Sequence, residues 1–390
     1  MKKIILAGLL KDKNLGDRVI ADCTKYLYNQ VIMEKIPVEY CWVELKGSLQ
    51  SKRKGTNLVV VLRRLIKKLN WNGLFDRISY KIEKQTKYFE SIIKGGDLIV
   101  VVGGGLIKYR YQQFWLYISG LIYAAERQRI PVILNAVGIE GYNPHNRRCQ
   151  VLRKALNSPI VMAITTRDDL NTLREKYLLR NTKIISKLVA DPAVFSGTVY
   201  QIKKSSNSDL IGIGLIRGGI FKDNGIPLSR NAIINLYVNI ILELETRNIP
   251  WVFFTNGLPA DVELVEIIYK KIGRPFNFKE ILVPKSAYEL VENISKFKAI
   301  IAARLHACII AYSLGIPAIG LVWNGKLLEF GKNIGYSHRF ISCNNFHSKH
   351  IVDILEDAID KGYDLEQQKI YKMTIQSSIL DILQRVKIMS

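Results

Sequence analysis

Short apolar runs alternate with longer stretches of helical periodicity along nearly the whole chain. Residues 4–9 suit a buried first strand, and residues 16–29 follow with helical spacing. Residues 97–102, Asp-Leu-Ile-Val-Val-Val, read as a strand of a parallel sheet, buried on both faces. Gly103, Gly104 and Gly105 come next, then an amphipathic helix over 112–129. Residues 131–137 and 161–165 read as further strands. Thr166-Arg167-Asp168-Asp169 reads as a helix start, with Thr166 as N-cap and two acids in the first turn.

Residues 197–209 break the alternation. Their run Lys203-Lys204-Ser205-Ser206-Asn207-Ser208 is polar and aperiodic, as in a linker. Beyond it, strands are expected at 210–215, 251–255, 299–302 and 316–321, and helices at 231–246 and 261–271. Strand–helix alternation on both sides predicts two doubly wound, Rossmann-like α/β domains facing a cleft. The expected division is 1–196, a linker at 197–209, a second domain at 210–345 and C-terminal helices at 346–390. Ligands of such folds sit at the carboxyl ends of strands, so chemistry is expected in the loops that follow them.

Composition narrows the class. The chain has 390 residues, 48% of them hydrophobic, enough for two cores. No apolar run reaches the roughly 18–20 residues of a membrane span. The first eight residues are charged then apolar, but Asp12 and Asp17 deny them the length of a signal peptide. Five cysteines without CxxC spacing fit free thiols in a reducing compartment and no zinc site. Lys and Arg number 57 against 34 Asp and Glu, a net charge of +23. Such an excess points to a polyanion, an anionic membrane surface or phosphorylated substrates.

Five stations carry candidate chemistry. In Lys13-Asn14-Leu15-Gly16-Asp17, Gly16 lets backbone approach a ligand. Asp17 either complements a helix dipole or faces the cleft as a base. Gly103, Gly104 and Gly105 are expected to offer backbone N–H groups at a helix N-terminus, though they match neither GxGxxG nor GxxxxGK[ST]. Arg217, beside Gly218 and Gly219 at a strand end, is placed to grip phosphate or carboxylate with both arms. Arg304 and His306, between an apolar strand and an apolar helix, are costly there unless they meet a ligand or a charge partner. Arg304 gives a fixed fork and His306 a group that moves protons near neutral pH. Lys326 falls in the first turn of a helix, where a cation is disfavoured unless it faces an anion.

Residues 57–94 are different in kind. Arg63, Arg64, Lys67 and Lys68 alternate with Leu65, Leu69, Trp71, Leu74 and Phe75. That pattern suits a helix lying on an anionic membrane surface, or one covering a sheet. No nucleic-acid motif accompanies it.

The ordered set Asn14-Leu15-Gly16-Asp17, Val102-Gly103-Gly104-Gly105-Leu106, Thr166-Arg167-Asp168, Ala190-Asp191-Pro192-Ala193, Arg304-Leu305-His306, Leu314 to Gly320 and Lys326 resembles the polysaccharide pyruvyl transferase family over about residues 5–340. The resemblance implies a GT-B fold and transfer of pyruvate from phosphoenolpyruvate to two hydroxyls of a sugar, with a ketal formed and phosphate released. It implies that Arg217, Arg304 and Lys326 bind phosphoenolpyruvate. His306 is then the general acid and Asp17 the group that deprotonates or orients a hydroxyl. Asn14, Gly16 and the three glycines are assigned to the acceptor, a polyprenyl-diphosphate-linked saccharide. Trp323-Asn324-Gly325 stands where the family more often has Tyr-Asp-Pro, and Arg18 where an acid often follows Asp17. Phosphoenolpyruvate is expected as co-substrate, with no other cofactor, no metal and no nucleic acid. The expected place is cytoplasmic, peripheral at the inner face of the plasma membrane, with Arg63, Arg64, Lys67, Lys68 and Trp71 at its surface. The alternative is a GT-B glycosyltransferase using a nucleotide sugar.

Overall fold

A computed structural model describes residues 1–11, 13–32, 36–47, 77–110, 112–275 and 281–386. The first half folds around strands β1 (Lys2–Gly8), β2 (Val38–Glu44), β3 (Leu98–Lys108), β4 (Val132–Glu140), β5 (Val161–Thr166) and β6 (Ile185–Leu188). All pair in parallel, in the order β2-β1-β3-β4-β5-β6. Helices α1 (Leu15–Ile32), α2 (Arg77–Ile92), α3 (Phe114–Gln128) and α4 (Arg147–Leu156) are spaced between them. Ile4 to Ala7 and Leu98 to Val101 are fully buried, so helices must cover both sheet faces, which is why these strands read as unbroken apolar runs.

The second half repeats the plan. Its strands are β7 (Ile211–Gly214), β8 (Trp251–Phe254), β9 (Ile281–Leu282), β10 (Ala299–Ala302), β11 (Ala318–Val322) and β12 (Phe340–Ser342). They too are all parallel, in the order β12-β11-β10-β7-β8-β9. Its helices are α5 (Arg230–Thr246), α6 (Val265–Lys271), α7 (Ala287–Ser295), α8 (Leu305–Ser313), α9 (Gly325–Asn333), α10 (Ser348–Lys361) and α11 (Leu365–Arg385). Two six-stranded parallel sheets with flanking helices make the GT-B architecture.

In each sheet the order in which successive strands are added reverses once. The reversal falls between β1 and β3 in the first and between β7 and β10 in the second. A crevice opens at the carboxyl ends of such strand pairs. The loops leaving those ends carry Asn14 to Asp17, Arg217 and the Arg304–His306 segment.

One apolar core runs through both halves, joining α1 and the 3-10 turn Pro192–Phe195 to α8 and α11. The last helix crosses back: Lys187 pairs with Asp381 at 2.6 Å, and the N–H of Ala190 donates to Thr374 Oγ1 at 2.8 Å. Ser196–Val199 is a short helix, tied to α8 where the N–H of Gly197 donates to Ser313 Oγ at 2.9 Å. The extended passage is therefore shorter than the expected 197–209.

Three local readings are corrected. Gly103, Gly104 and Gly105 lie inside β3 and not at a helix N-terminus; an eleven-residue strand carries them past a register shift to Lys108. Thr166 ends β5, and the N-cap is Asp169, which accepts from the N–H of Thr172 at 2.8 Å. The helix expected over 261–271 is two, Pro259–Val262 and α6. Among the described residues no helix is long and apolar enough to cross a membrane.

Candidate active site

On the second sheet, Asp261 organises the cations. It sits in the helix Pro259–Val262 just past β8 and is 0% exposed. Its carboxyl takes both arms of Arg304, with Nε at 2.9 Å from Oδ2, and also accepts the backbone N–H of Arg217 at 3.1 Å. A buried carboxyl needs such partners, and a bidentate guanidinium is the strongest available. The Arg217 side chain pairs with the half-exposed Asp223. Trp323 donates its indole N–H to Ala303 O at 2.6 Å, pinning the residue before Arg304. Asp261 escaped the sequence reading; its signal is an acid in the apolar setting Leu258-Pro259-Ala260-Asp261-Val262.

On the first sheet, glycines pave the facing wall. Gly104 has φ +107°, a conformation glycine alone adopts freely. A Cβ there would come 3.5 Å from Asp17 Oδ1. A Cβ on Gly105 would collide with Lys326 Nζ and come 2.9 Å from Glu140 Oε1. Asn14 donates its side-chain N–H to Asp17 Oδ2 at 3.0 Å. Gly104 and Gly105 thus leave room beside β3 for Asp17 and Glu140 from the first half and Lys326 from the second.

Lys326, in the first turn of α9, does face an anion: it pairs with Glu140 at the end of β4, across the two halves. Lys108 joins the same carboxyl at 3.3 Å. Burial works to raise the Glu140 pKa, but Lys326 and Lys108 outweigh it and hold the carboxyl below its usual range.

His306 is the second residue of α8, 7% exposed. Its Nε2 lies 3.2 Å from Arg167 Nη1. A guanidinium N–H only donates, so Nε2 accepts and the ring is neutral, with its proton on Nδ1. Burial, then the adjacent Arg167, lower the pKa of His306 to about 3. Free of ligand, the buried imidazole is therefore held in its neutral form near neutrality.

Arg167 follows β5 and is itself buried, paired with Asp191. Asp191 is 1% exposed and caps the turn Pro192–Phe195, accepting the N–H of Ala193 at 2.8 Å. Arg167 O in turn accepts from Asn333 Nδ2 at 3.2 Å. Beside it stands Asp168, whose Oδ1 accepts three hydrogen bonds. The sequence reading took Arg167 and Asp168 for a helix start, because charges just past a strand look the same whether they cap a helix or line a cleft. An enclosed space of about 10 Å³ is bordered by Arg167, Asp168, Asp191, Leu305, Lys326 and Tyr371, room for about one water. A wider, open concavity of about 540 Å³ beside Gly257, Pro259 and Ile281 has an apolar lining and none of these charges.

The structure therefore gathers Asn14, Gly16, Asp17, Gly104, Gly105, His306 and Lys326 at one junction, and sets Arg217 and Arg304 together on Asp261. Gly103 lies deeper in β3, against Ile20 and the backbone of Ala136. Arg63, Arg64, Lys67, Lys68 and Trp71 lie outside the described residues.

The sequence profile of polysaccharide pyruvyl transferases matches residues 14–325. No protein of curated function matches the chain in sequence. Among solved structures, the UDP-GlcNAc 2-epimerase from Methanocaldococcus jannaschii is similar with a TM-score of 0.58 at 13% identity, covering 99% of this chain and 100% of that one. The Neisseria meningitidis UDP-GlcNAc 2-epimerase bound to UDP-GlcNAc gives 0.57 at 13% identity, with 99% and 100% covered. The S. aureus MnaA–UDP structure gives 0.56 at 12%, with 100% and 98% covered. These likenesses establish the fold.

Proposed function

Because the chain belongs to the polysaccharide pyruvyl transferase family, we propose that it moves the pyruvyl group of phosphoenolpyruvate onto two hydroxyls of a saccharide, forming a ketal and releasing phosphate. The observation that supports the donor assignment is that buried Asp261 grips the Arg304 guanidinium and accepts the backbone N–H of Arg217, which fixes both residues at the carboxyl ends of the second sheet's central strands. A donor with a carboxylate and a phosphate needs several cations held in fixed relation. Lys326 is the third, delivered from α9 to the glycine wall.

The chemistry balances as follows. Protonation of the donor's methylene carbon makes C2 electrophilic. One hydroxyl oxygen adds to C2 and loses its proton; phosphate departs; the second hydroxyl closes the ring and loses its proton. Of the two hydroxyl protons, one is accounted for in the new methyl group and the other leaves with phosphate. His306 is neutral alone, but an arriving phosphate favours the imidazolium. In the charged complex His306 acts as general acid. Asp17, on the opposite wall, receives or orients a hydroxyl. Charge neutralisation is assigned to the arginines and Lys326. The acceptor is a lipid-linked cell-surface precursor met at the cytoplasmic leaflet, which suits the +23 charge.

The test is incubation with phosphoenolpyruvate and saccharides carrying a free diol. Equimolar phosphate and a product heavier by one pyruvyl ketal support the reading. Consumption of a UDP- or GDP-sugar with phosphoenolpyruvate untouched would replace it with the nucleotide-sugar alternative. His306→Ala should lower turnover by about 10²–10⁴-fold while donor binding persists.

A further inference from the structure

A ketal needs two hydroxyls deprotonated, and Asp17 is one carboxyl. We propose that Asp168 is the second: that its open oxygen contacts an acceptor hydroxyl and takes its proton. The proposal rests on the pyruvyl-transfer reading above.

Asp168 is 7% exposed. Its two oxygens have different lives. Oδ1 accepts the N–H of Ile139 at 3.0 Å, the hydroxyl of Thr166 at 3.0 Å and the N–H of Asp169 at 2.8 Å. Three donors from β4, β5 and the following turn fix the carboxyl plane. Oδ2 is buried and, among the described residues, has no hydrogen-bond partner. Leaving a buried carboxyl oxygen unmatched is expensive, of order 1–3 kcal/mol, and such groups call for an explanation in function.

Beside Oδ2 the strand carries no side chain. Gly138 in β4 is its neighbour: a Cβ there would come 3.0 Å from Oδ2, 3.3 Å from Gly105 Cα and 3.4 Å from Gly104 O. Gly104 is the residue whose missing Cβ faces Asp17 Oδ1. Gly104 also stands opposite Val137 in the β3–β4 register, one residue from Gly138. The two carboxyls thus flank the same side-chain-free patch of β3 and β4. Asp168 further borders the small enclosed space with Arg167, Leu305 and Lys326. It therefore lies near Lys326, one of the proposed donor cations.

This geometry divides the work. A cis-diol laid on the glycine patch offers one hydroxyl to Asp17 and the other to Asp168 Oδ2. Each carboxyl gains a proton as a C–O bond forms at C2. The proton on one carboxyl replaces the one His306 gave to the methylene carbon, and the other leaves with phosphate.

Asp168→Asn is the incisive variant. The amide oxygen still accepts the three bonds made by Oδ1, and the amide nitrogen replaces the open oxygen with a donor. The expected result is a fall in kcat of about 10²–10⁴-fold, with KM for phosphoenolpyruvate within about threefold of wild type. Asp168→Ala should regain part of its turnover when formate is added, since a small carboxylate fits where the side chain was; a purely structural residue gives no such rescue. Turnover of Asp168→Asn within threefold of wild type overturns the proposal. So does a loss expressed wholly in donor KM or melting temperature with no formate rescue. Absence of ketal formation by the wild-type protein would instead strike the pyruvyl-transfer reading itself.

Discussion

Gly16 and His306 touch across the two halves of the molecule. Gly16 lies in the first turn of α1 and His306 in the first turn of α8; a Cβ on Gly16 would come 2.5 Å from His306 Cγ and 2.6 Å from its Cβ. The imidazole cannot retreat, because its far nitrogen is held by Arg167, which Asp191 holds in turn. The absence of one side chain therefore sets how closely His306 approaches the first turn of α1, which carries Asp17.

Gly16→Ala tests that relation. Overpacking of this kind costs about 1–3 kcal/mol. The expected outcome is a lowered melting temperature together with a drop in turnover larger than any change in donor affinity. Wild-type turnover with an unchanged melting curve would show that the two helices have slack at this point.

The pH dependence of stability follows from the buried imidazole. His306 has a pKa of about 3 in the folded protein, below its ordinary 6.5. Between those values the unfolded chain binds the extra proton, so acid favours unfolding. The contribution is fully present above pH 6.5 and is lost as pH falls toward 3. Melting temperatures of wild type and His306→Gln, compared from pH 7.5 to 4, should converge or cross as pH falls, because the variant lacks the titrating group. Parallel curves would mean that His306 is solvated and charged in the folded state.

How much of this was legible in the sequence depends on what each signal measures. Strand–helix alternation gave two doubly wound domains because buried parallel strands must be apolar on both faces, as Ile4 to Ala7 are. Arg304 and His306 stood out because charge between a buried strand and a buried helix is anomalous. The glycine triplet was seen but misplaced: composition shows where side chains are missing, not whether the backbone there is strand or turn. Arg167 and Asp168 read as a helix start, and Asp261 did not stand out, because their partners, Asp191, Gly138 and Arg304, lie 24 to 43 residues away. Only the folded sheets bring them together.

Arg304 and Arg217 should respond differently to substitution, although both face the donor in the proposed function. Arg217→Ala removes a partly exposed side chain whose ion pair is with half-exposed Asp223, so the fold should hold. Donor affinity should fall by about 10–100-fold, the loss of one charge-assisted contact of roughly 1.5–3 kcal/mol. Arg304→Lys abandons the two-armed grip on fully buried Asp261. It should therefore weaken donor binding and also lower the melting temperature. Calorimetric titration with phosphoenolpyruvate and thermal melts separate the two effects; equal affinity in both variants and wild type would remove these arginines from the donor site.

Glu140 competes for the cation that the donor is proposed to use. It holds Lys326 across the halves and shares Lys108. Glu140→Gln releases both amines, and a partly exposed ion pair is worth up to about 1 kcal/mol, so KM for phosphoenolpyruvate should fall about two- to fivefold. Sensitivity of that KM to salt should rise at the same time, since the freed amines attract the donor through solvent. A KM that rises instead would show that Glu140 positions Lys326 and does not mask it.

The basic stretch at 63–71 lies outside the described residues, so its prediction rests on sequence and charge. Arg63, Arg64, Lys67 and Lys68 lie within six positions, with Leu65, Leu69 and Trp71 among and after them. An anionic leaflet attracts each such cation by about 1 kcal/mol near its surface, screened within about 8–10 Å at ordinary ionic strength. Four of them are expected to give reversible attachment, with Trp71 as an apolar anchor at the headgroup boundary. Wild-type protein should float with anionic vesicles at low salt and be released as salt rises. Changing Arg63, Arg64, Lys67 and Lys68 to Gln should abolish flotation, while turnover on a water-soluble acceptor is kept. Flotation that survives the fourfold change would move the membrane contact to another part of the +23 surface; a wild type that never floats would assign that charge to capturing anionic substrates alone.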